Sequence, residues 1–264
     1  MRSDCSPTAI RQGKRYEWLI VFDLDGTLAE SKRPLSAEMA GTLARLLAVV
    51  DVAVISGGDW PQFERQVASR LPDDAARDRL WLMPTTGTKL YRFVDGGWRA
   101  IYAELFDDAE KAAIRTAIDR ALAEAGLADE RIWGERIEDR GSQITFSGLG
   151  QDAPLKAKET WDADRTKRSA LQKTLREALP GLSINVGGTT SIDVTRAGVD
   201  KGYGLKRLSK ESGVPLAGML FVGDAIYPGG NDYPAAEIGV DTVKVRDVAE
   251  TEAVVTAIIA CLRR

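Results

Sequence analysis

The chain has 264 residues, a formal net charge of −3 and no histidine. The missing imidazole excludes histidine-based triads, phosphohistidine intermediates and histidine-ligated zinc or haem. The charge gives no general attraction to nucleic acid, and no apolar run approaches the roughly 20 residues of a membrane span. We therefore expect any chemistry to use carboxylates, lysine, tyrosine, serine or cysteine.

Cysteine usage and the first residues bear on the cellular compartment. The two cysteines, Cys5 and Cys261, are too few for a disulfide framework. The mixed polar start lacks the basic-then-apolar order of a signal peptide. These features favour a reduced, cytoplasmic environment, and we expect Cys261 to pack in the core from the last helix.

The first part of the chain alternates apolar strands with amphipathic helices. The runs 18–22 and 52–55 are continuous and apolar, which is typical of buried parallel strands. Ser36 and Asp59 occupy N-cap positions ahead of helical patterns of apolar residues. This order of elements predicts a parallel α/β sheet.

The pattern changes near residue 95 and is later restored. Residues 95–97 predict a hairpin turn, because aspartate and glycine adopt the backbone conformations that such turns need. Helices and paired strands are then predicted around 114–122, 131–138, 143–147, 171–179 and 182–195. Apolar runs at 218–222 and 240–245, and a closing helix over 249–262, predict a return to the parallel sheet.

The two patterns together predict an α/β fold made of a core and an insertion. A Rossmann-like parallel-sheet core is expected over residues 1–98 and 197–264, interrupted by an α+β cap domain over residues 99–196. Ligands of open parallel sheets bind beyond the carboxyl ends of the strands. The polar residues that directly follow the strands are therefore the candidate functional residues.

The strongest motif, Asp23-Leu24-Asp25-Gly26-Thr27, directly follows the first strand. Extended backbone aims Asp23 and Asp25 the same way, and glycine at the next position permits a tight turn. The Thr27 hydroxyl is available to a phosphate. Two carboxylates this close repel each other, so either bound Mg²⁺ or a retained proton must compensate. Both solutions suit phosphoryl transfer, with one aspartate as nucleophile and the other as acid.

Three further motifs follow the aspartate pair in order. Ser56 ends the second predicted strand, Lys201 begins a helix, and Gly223-Asp224 follows an apolar strand. Each motif alone is common, since serine often caps an element and lysine is usually solvated. Together with the aspartate pair, they resemble the haloacid dehalogenase (HAD) superfamily of phosphotransferases.

The resemblance implies a role for each motif. Asp23 is implied to be the nucleophile that becomes an aspartyl phosphate, Asp25 the general acid and base, and Lys201 the charge that stabilises the nucleophile. The residues implied to bind the phosphoryl group are Thr27, Ser56 and Gly57. Mg²⁺ is the implied cofactor, and its implied site comprises Asp23, the carbonyl of Asp25, Asp224, Asn231 and Asp232.

The predicted cap and one loop relate the chain more narrowly to subfamily IIB of the superfamily. The run 223–232, which contains P-G-G-N-D, and the stretches 137–140 and 186–194 resemble the eukaryotic-type α-phosphomannomutases. Sugar phosphatases of this branch are similar as well. The implied partner is a small phosphorylated substrate such as a sugar phosphate. The mutases dimerise through the cap, which leaves a homodimer open, whereas nucleic acid and membranes are not expected partners.

Three cap residues match the substrate contacts of that family. The resemblance implies that the sugar or its distal phosphate is bound by Arg140, Ser191 and Asp193. Arg140 is equally well explained as a surface arginine paired with Glu138 or Asp139.

A mutase needs a second phosphate site, and the sequence supplies it only in part. Gln151 and Trp133 stand where the family pattern has arginines, and each lost charge-assisted hydrogen bond weakens binding by about 1.5–3 kcal/mol. Lys156 and Lys158 are candidate replacements, although the stretch 156–158 is predicted to be a solvated loop. We therefore favour a sugar phosphatase over a phosphomannomutase-like mutase. A catalytically silent HAD-like binding protein is the third hypothesis, which the presence of Asp23 disfavours.

Overall fold

The computed structural model describes residues 18–262, which form two β-sheets. The strands of the larger sheet are β1 (Leu19–Asp23), β2 (Asp51–Ile55), β3 (Leu80–Met83), β4 (Lys89–Val94), β5 (Gly97–Ala103), β10 (Met219–Gly223) and β11 (Asp241–Lys244). Their spatial order is β11-β10-β1-β2-β3-β4-β5, parallel as far as β3 and antiparallel for the last two strands. The smaller sheet is antiparallel, in the order β6-β7-β9-β8, with strands β6 (Ile137–Asp139), β7 (Gln143–Ser147), β8 (Leu182–Gly187) and β9 (Ser191–Arg196).

The helices connect these strands and cover both sheets. They are α1 (Ala37–Leu47), α2 (Trp60–Gln66), α3 (Pro84–Gly87), α4 (Asp108–Glu124), α5 (Leu155–Trp161), α6 (Thr166–Ala178), α7 (Lys201–Ser212), α8 (Tyr233–Glu237) and α9 (Val248–Leu262). Ser36 and Asp59 cap α1 and α2 as predicted, each accepting a hydrogen bond from a backbone N–H of its helix. Among residues 18–262, no helix combines the length and the apolar content that a bilayer span requires.

Burial on both faces explains why the central strands are apolar without alternation. In β1, Ile20 and Phe22 belong to the hydrophobic cluster that includes α1, α2 and α9. Leu19 and Val21 belong to the cluster on the opposite face, which includes α7 and α8. A parallel sheet covered by helices on both sides is therefore the core of the molecule, and the predicted fold class is confirmed.

The smaller sheet has a hydrophobic core of its own. Apolar residues of α4 and α6, such as Ile118 and Leu175, pack on Phe146, Ile184 and Ile192 of the sheet. This unit contains the helices and paired strands predicted for the α+β insertion, in the predicted order. The proposed boundary between residues 98 and 99 lies inside β5, which pairs with β4 in the larger sheet.

Several local predictions need correction. Within the predicted strand 131–138 only the end is paired, as β6, and the expected loop at 156–158 is part of α5. The strand β3 and the helix α8 were not predicted, since both are short. Cys261 is exposed, because it lies in the last turn of α9, beyond the part of the helix that packs on the sheet. Cys5 lies outside the described residues.

Candidate active site

The candidate residues of the core meet at the carboxyl edge of three neighbouring strands. Asp23 ends β1, Ser56 follows β2, and Asp224 follows β10. β1 lies between β2 and β10 in the sheet, so the three side chains start from adjacent positions. The parallel topology thus brings together motifs that are up to 201 residues apart in the chain.

A lysine joins two of the buried carboxylates. The ammonium of Lys201, the first residue of α7, donates hydrogen bonds to both Asp23 and Asp232, and all three side chains are buried. Burial raises the pKa of Asp23 to about 6, with Asp232 adding to the effect and Lys201 opposing it. Burial would lower the pKa of Lys201, but the two carboxylates outweigh it and raise that pKa. Lys201 therefore stays protonated beside the candidate nucleophile.

Three carboxylates form a candidate metal centre. One oxygen each from Asp23, Asp224 and Asp232 lies within 4.8 Å of the others. Burial and the charge of Asp232 raise the pKa of Asp224, whereas the charge of Lys201 opposes them. Oxygen donors of this kind fit Mg²⁺. Asn231 is exposed on the loop one residue before Asp232.

Two glycines allow these carboxylates to approach the backbone closely. Gly26 has φ = +91°, and a Cβ there would lie 2.6 Å from Oδ2 of Asp224. A Cβ at Gly223 would overlap the carboxylate of Asp232. The Asp232 carboxylate also accepts a hydrogen bond from the backbone N–H of Ala225 at 2.9 Å. The glycines in both motifs are therefore required by the packing of the acidic cluster.

Asp25 is held by donors on both carboxylate oxygens. Oδ1 accepts from the backbone N–H of Lys32 at 2.6 Å and from the side-chain amide of Gln66 at 3.3 Å. Oδ2 accepts from the amide of Gln62 at 3.0 Å. Sequence reasoning missed both glutamines, although their spacing of four residues on α2 places them on one helix face.

The residues expected to bind the phosphoryl group line the same edge. Thr27 is buried, and its hydroxyl has no hydrogen-bond partner among the described residues. Residues 56–58, which we call the phosphate loop, follow β2. In that loop Ser56 is buried, and its hydroxyl accepts from the backbone N–H of Gly58 at 3.4 Å. An unpaired buried hydroxyl is unusual, and it leaves Thr27 available to a ligand oxygen.

One cap residue reaches the phosphate loop directly. Nη1 of Arg140 donates to the carbonyl of Gly57 at 2.9 Å, and Nη2 donates to Glu138 at 2.7 Å. Burial would lower the pKa of Arg140, but its bond to Glu138 and the charge of that carboxylate raise it. Arg140 thus forms the predicted ion pair with Glu138. It also contacts Gly57 of the core, which the sequence did not predict.

The other cap candidates lie on β9. Asp193 accepts a hydrogen bond from the hydroxyl of Thr145 at 2.7 Å, and it contributes to the raised pKa of Arg140. Ser191 is half-buried at the start of the strand, where it pairs with Ser147 and Gly187. Asp193 thus belongs to the same electrostatic environment as Arg140.

Gln151 and Trp133 lie on neighbouring turns of the cap. The side-chain nitrogen of Gln151 is buried without a hydrogen-bond partner among residues 18–262. The backbone carbonyl of Gln151 accepts a hydrogen bond from Nζ of Lys158 at 2.8 Å, because α5 brings that lysine back over the turn. Trp133 is half-buried, with the guanidinium of Arg131 4.7 Å from its ring centre.

Comparison with solved structures identifies the fold. The Plasmodium falciparum IMP-nucleotidase superposes with a TM-score of 0.68 at 16% identity, covering 94% of this chain and 69% of that one. A trehalose-6-phosphate phosphatase related protein gives a TM-score of 0.57 at 18% identity, covering 92% and 97%. The fold, together with the ordered motifs at its carboxyl edge, defines a phosphoryl-transfer enzyme of the HAD superfamily.

Sequence comparison places the chain within that superfamily. The profile of the family described as eukaryotic phosphomannomutase matches residues 39–260. The chain therefore belongs to the eukaryotic phosphomannomutase family. A phosphomannomutase of Schizosaccharomyces pombe is 29% identical over 238 residues, covering 88% of this chain and 89% of the relative. The resemblance that the motifs indicated is thus confirmed.

Proposed function

We propose that the protein is a Mg²⁺-dependent phosphatase that hydrolyses a phosphorylated sugar or a similar small phosphate ester. The engagement of Arg140 carries the proposal. Its guanidinium is occupied by Glu138 and by the carbonyl of Gly57, and the two other positions of a second phosphate site, Gln151 and Trp133, are neutral. A monophosphorylated substrate needs only the phosphate site of the core.

The proposed reaction has two displacement steps at phosphorus. A carboxylate oxygen of Asp23 forms a bond to phosphorus while the bond to the ester oxygen breaks, and Asp25 gives its proton to that leaving oxygen. In the second step Asp25 takes a proton from water, whose oxygen attacks phosphorus and releases inorganic phosphate from Asp23. Asp25 is protonated again at the end of the cycle.

Neighbouring residues support each step. The hydrogen bond from Lys201 to Asp23 keeps the nucleophile oriented, and the lysine charge offsets the negative charge that gathers there. Gln62, Gln66 and the backbone of Lys32 orient Asp25. When bound, Mg²⁺ supplies charge neutralisation for the phosphoryl oxygens, and Asp23, Asp224 and the carbonyl of Asp25 are the proposed ligands.

A phosphohexomutase is the second candidate, and the contact of Lys158 with Gln151 favours it. Nζ of Lys158 donates to the backbone carbonyl of Gln151, so a cation lies next to the neutral side chain and is a candidate replacement for an arginine there. Membership of the phosphomannomutase family points the same way. A mutase transfers the phosphoryl group from Asp23 back to a sugar hydroxyl, whereas the proposed phosphatase transfers it to water.

A substrate panel tests the proposal. The wild-type protein is incubated with Mg²⁺ and a set of sugar monophosphates, and free phosphate is measured alongside the isomeric esters. We expect phosphate release that Asp23→Asn abolishes. Ester isomerisation without phosphate release would support the mutase instead, and no turnover on the panel or on a generic aryl phosphate would support a silent binding protein. The cytoplasmic location that we also propose is tested by cell fractionation. A homodimer is tested by light scattering of the purified protein.

A further inference from the structure

A turn with unusual backbone geometry lies beside the phosphate loop. We call residues 84–88 the threonine turn; it comprises α3, whose two central residues are left-handed, and Thr88. Thr85 has φ = 48° and ψ = 48°, and Thr86 has φ = 58° and ψ = 32°. β-Branched residues rarely adopt this left-handed conformation, and two in succession are rarer still. Such geometry persists only where the surrounding structure enforces it, so the contacts of the turn reveal what it is held against.

The threonine turn is bonded to the phosphate loop on one side. The backbone N–H of Thr85 donates to the carbonyl of Gly58 at 2.8 Å, and that of Thr86 donates to the carbonyl of Ser56 at 2.9 Å. On its other side, a Cβ at Gly87 would lie 2.6 Å from Cα of Gly204 in α7. The turn therefore sets the separation between the phosphate loop and the helix that begins with Lys201.

Three buried hydroxyls connect the same turn to the cap. The oxygen of Thr85 lies 2.7 Å from that of Thr88, Thr88 lies 2.7 Å from Ser142, and Ser142 lies 2.9 Å from Thr85. If Thr85 donates to Thr88, Thr88 to Ser142 and Ser142 to Thr85, each hydroxyl gives one hydrogen bond and accepts one. We call these three groups the hydroxyl ring. Ser142 belongs to the cap and the two threonines belong to the core.

We propose that the hydroxyl ring positions the phosphate loop for catalysis when the cap is docked. Thr88 and Ser142 are then positioning residues, acting through the threonine turn on Ser56 and Gly57. Without the ring, the strained turn is free to relax, and the two N–H donors that hold the phosphate loop are lost with it. This inference rests on the phosphate-binding role given to Ser56 and Gly57 in the proposed function.

Matched variants at Thr88 separate the hydroxyl from the shape of the side chain. Thr88→Val keeps the shape and removes the hydroxyl, whereas Thr88→Ser keeps the hydroxyl and removes a methyl group. Ser142→Ala removes the ring from the cap side, and it carries the test if Thr88→Val does not fold. The first measurement is amide hydrogen exchange over residues 54–60 without substrate. The second is the kinetics of phosphate release from a sugar monophosphate and from a generic aryl phosphate.

We expect faster exchange in the phosphate loop of Thr88→Val and Ser142→Ala, with kcat about tenfold lower and KM changed much less. Thr88→Ser is expected to remain within about twofold of the wild type in both measurements. Unchanged exchange in the loop, or equal losses of kcat in Thr88→Ser and Thr88→Val, would overturn the proposal. The exchange experiment needs no substrate, so a failure of the proposed phosphatase activity is recognised separately.

Discussion

The acidic cluster at the strand ends of the core and the side of the cap that carries Arg140 are organised differently. In the core, Asp23, Lys201 and Asp232 are buried and bonded to one another, with Asp224 at the same cluster. In the cap, Arg140 is bonded to Glu138 and to the core, and Gln151 and Trp133, where the resemblance leads us to expect arginines, are neutral. The core thus brings together every group that we propose for phosphoryl transfer, whereas the cap supplies only part of the second phosphate site that a mutase needs.

We therefore expect the core to carry out phosphoryl transfer and the cap to decide which product is released. Attack on phosphorus depends on the core, where the strand ends bring the required charges together. In the proposed reaction the fate of the aspartyl phosphate depends on the cap, because a mutase needs a second phosphate site to retain the bisphosphate. Substitutions in the core are therefore expected to abolish turnover, and substitutions in the cap to redirect it.

The largest effect is expected from Asp23→Asn. An amide is not a nucleophile toward phosphorus, so the rate of phosphate release is expected to fall by about 10⁴-fold or more. Steady-state kinetics measure the loss, and circular dichroism with thermal unfolding checks that the fold is intact. Activity within about tenfold of the wild type in a folded variant would rule out an aspartyl-phosphate mechanism.

Metal removal is expected to have the next largest effect. The acidic cluster carries one lysine against three carboxylates, so loss of Mg²⁺ leaves both the cluster and the phosphoryl oxygens without compensation. Treatment with EDTA is expected to lower the rate by about 10³-fold, and excess Mg²⁺ to restore it. The same titration with Asp224→Asn is expected to require more Mg²⁺. Full activity after exhaustive chelation would contradict the metal assignment.

Replacement of Lys201 tests how far its ion pairs with Asp23 and Asp232 stabilise the fold. Lys201→Met leaves Asp23 and Asp232 buried without a cation, and we expect the free energy of unfolding to fall by about 3 kcal/mol. Urea denaturation without metal measures this loss, and added Mg²⁺ is expected to recover part of it. The matched control is Lys206→Met, since Lys206 is exposed on the same helix. Similar stabilities for the two variants would show that the ion pairs of Lys201 with Asp23 and Asp232 do not stabilise the fold.

The smallest effect is expected in the cap, where Gln151→Arg introduces the arginine that the resemblance leads us to expect at this position. One charge-assisted hydrogen bond to a distal phosphate is expected to raise the ratio of isomerised ester to free phosphate by about tenfold. Phosphorus NMR of the product mixture measures the ratio. Gln151→Leu is the neutral control and is expected to leave the ratio unchanged. An equal shift in both variants would mean that charge at this position does not decide the outcome.

The sequence predicted the core site more completely than the cap. Asp23, Ser56 and Asp224 directly follow apolar strands, so parallel pairing alone brings them together. The contact of Lys158 with Gln151 depends on the path of α5, a helix without a strong apolar pattern. The hydroxyl ring joins Thr88 to a residue 54 positions away, and no local signal marks such a pair. Contacts between small polar residues that are distant in the chain leave no periodic pattern in the sequence, so they could not be predicted from it.

The fate of the phosphoryl group, followed in a single reaction mixture, distinguishes the proposed phosphatase from a mutase. The wild-type protein is incubated with Mg²⁺, mannose-1-phosphate and a trace of glucose-1,6-bisphosphate, and phosphorus NMR records the products over time. A complete core with a cap that lacks a full second phosphate site predicts inorganic phosphate as the main product. Accumulation of mannose-6-phosphate in its place would contradict the account and identify the protein as a mutase.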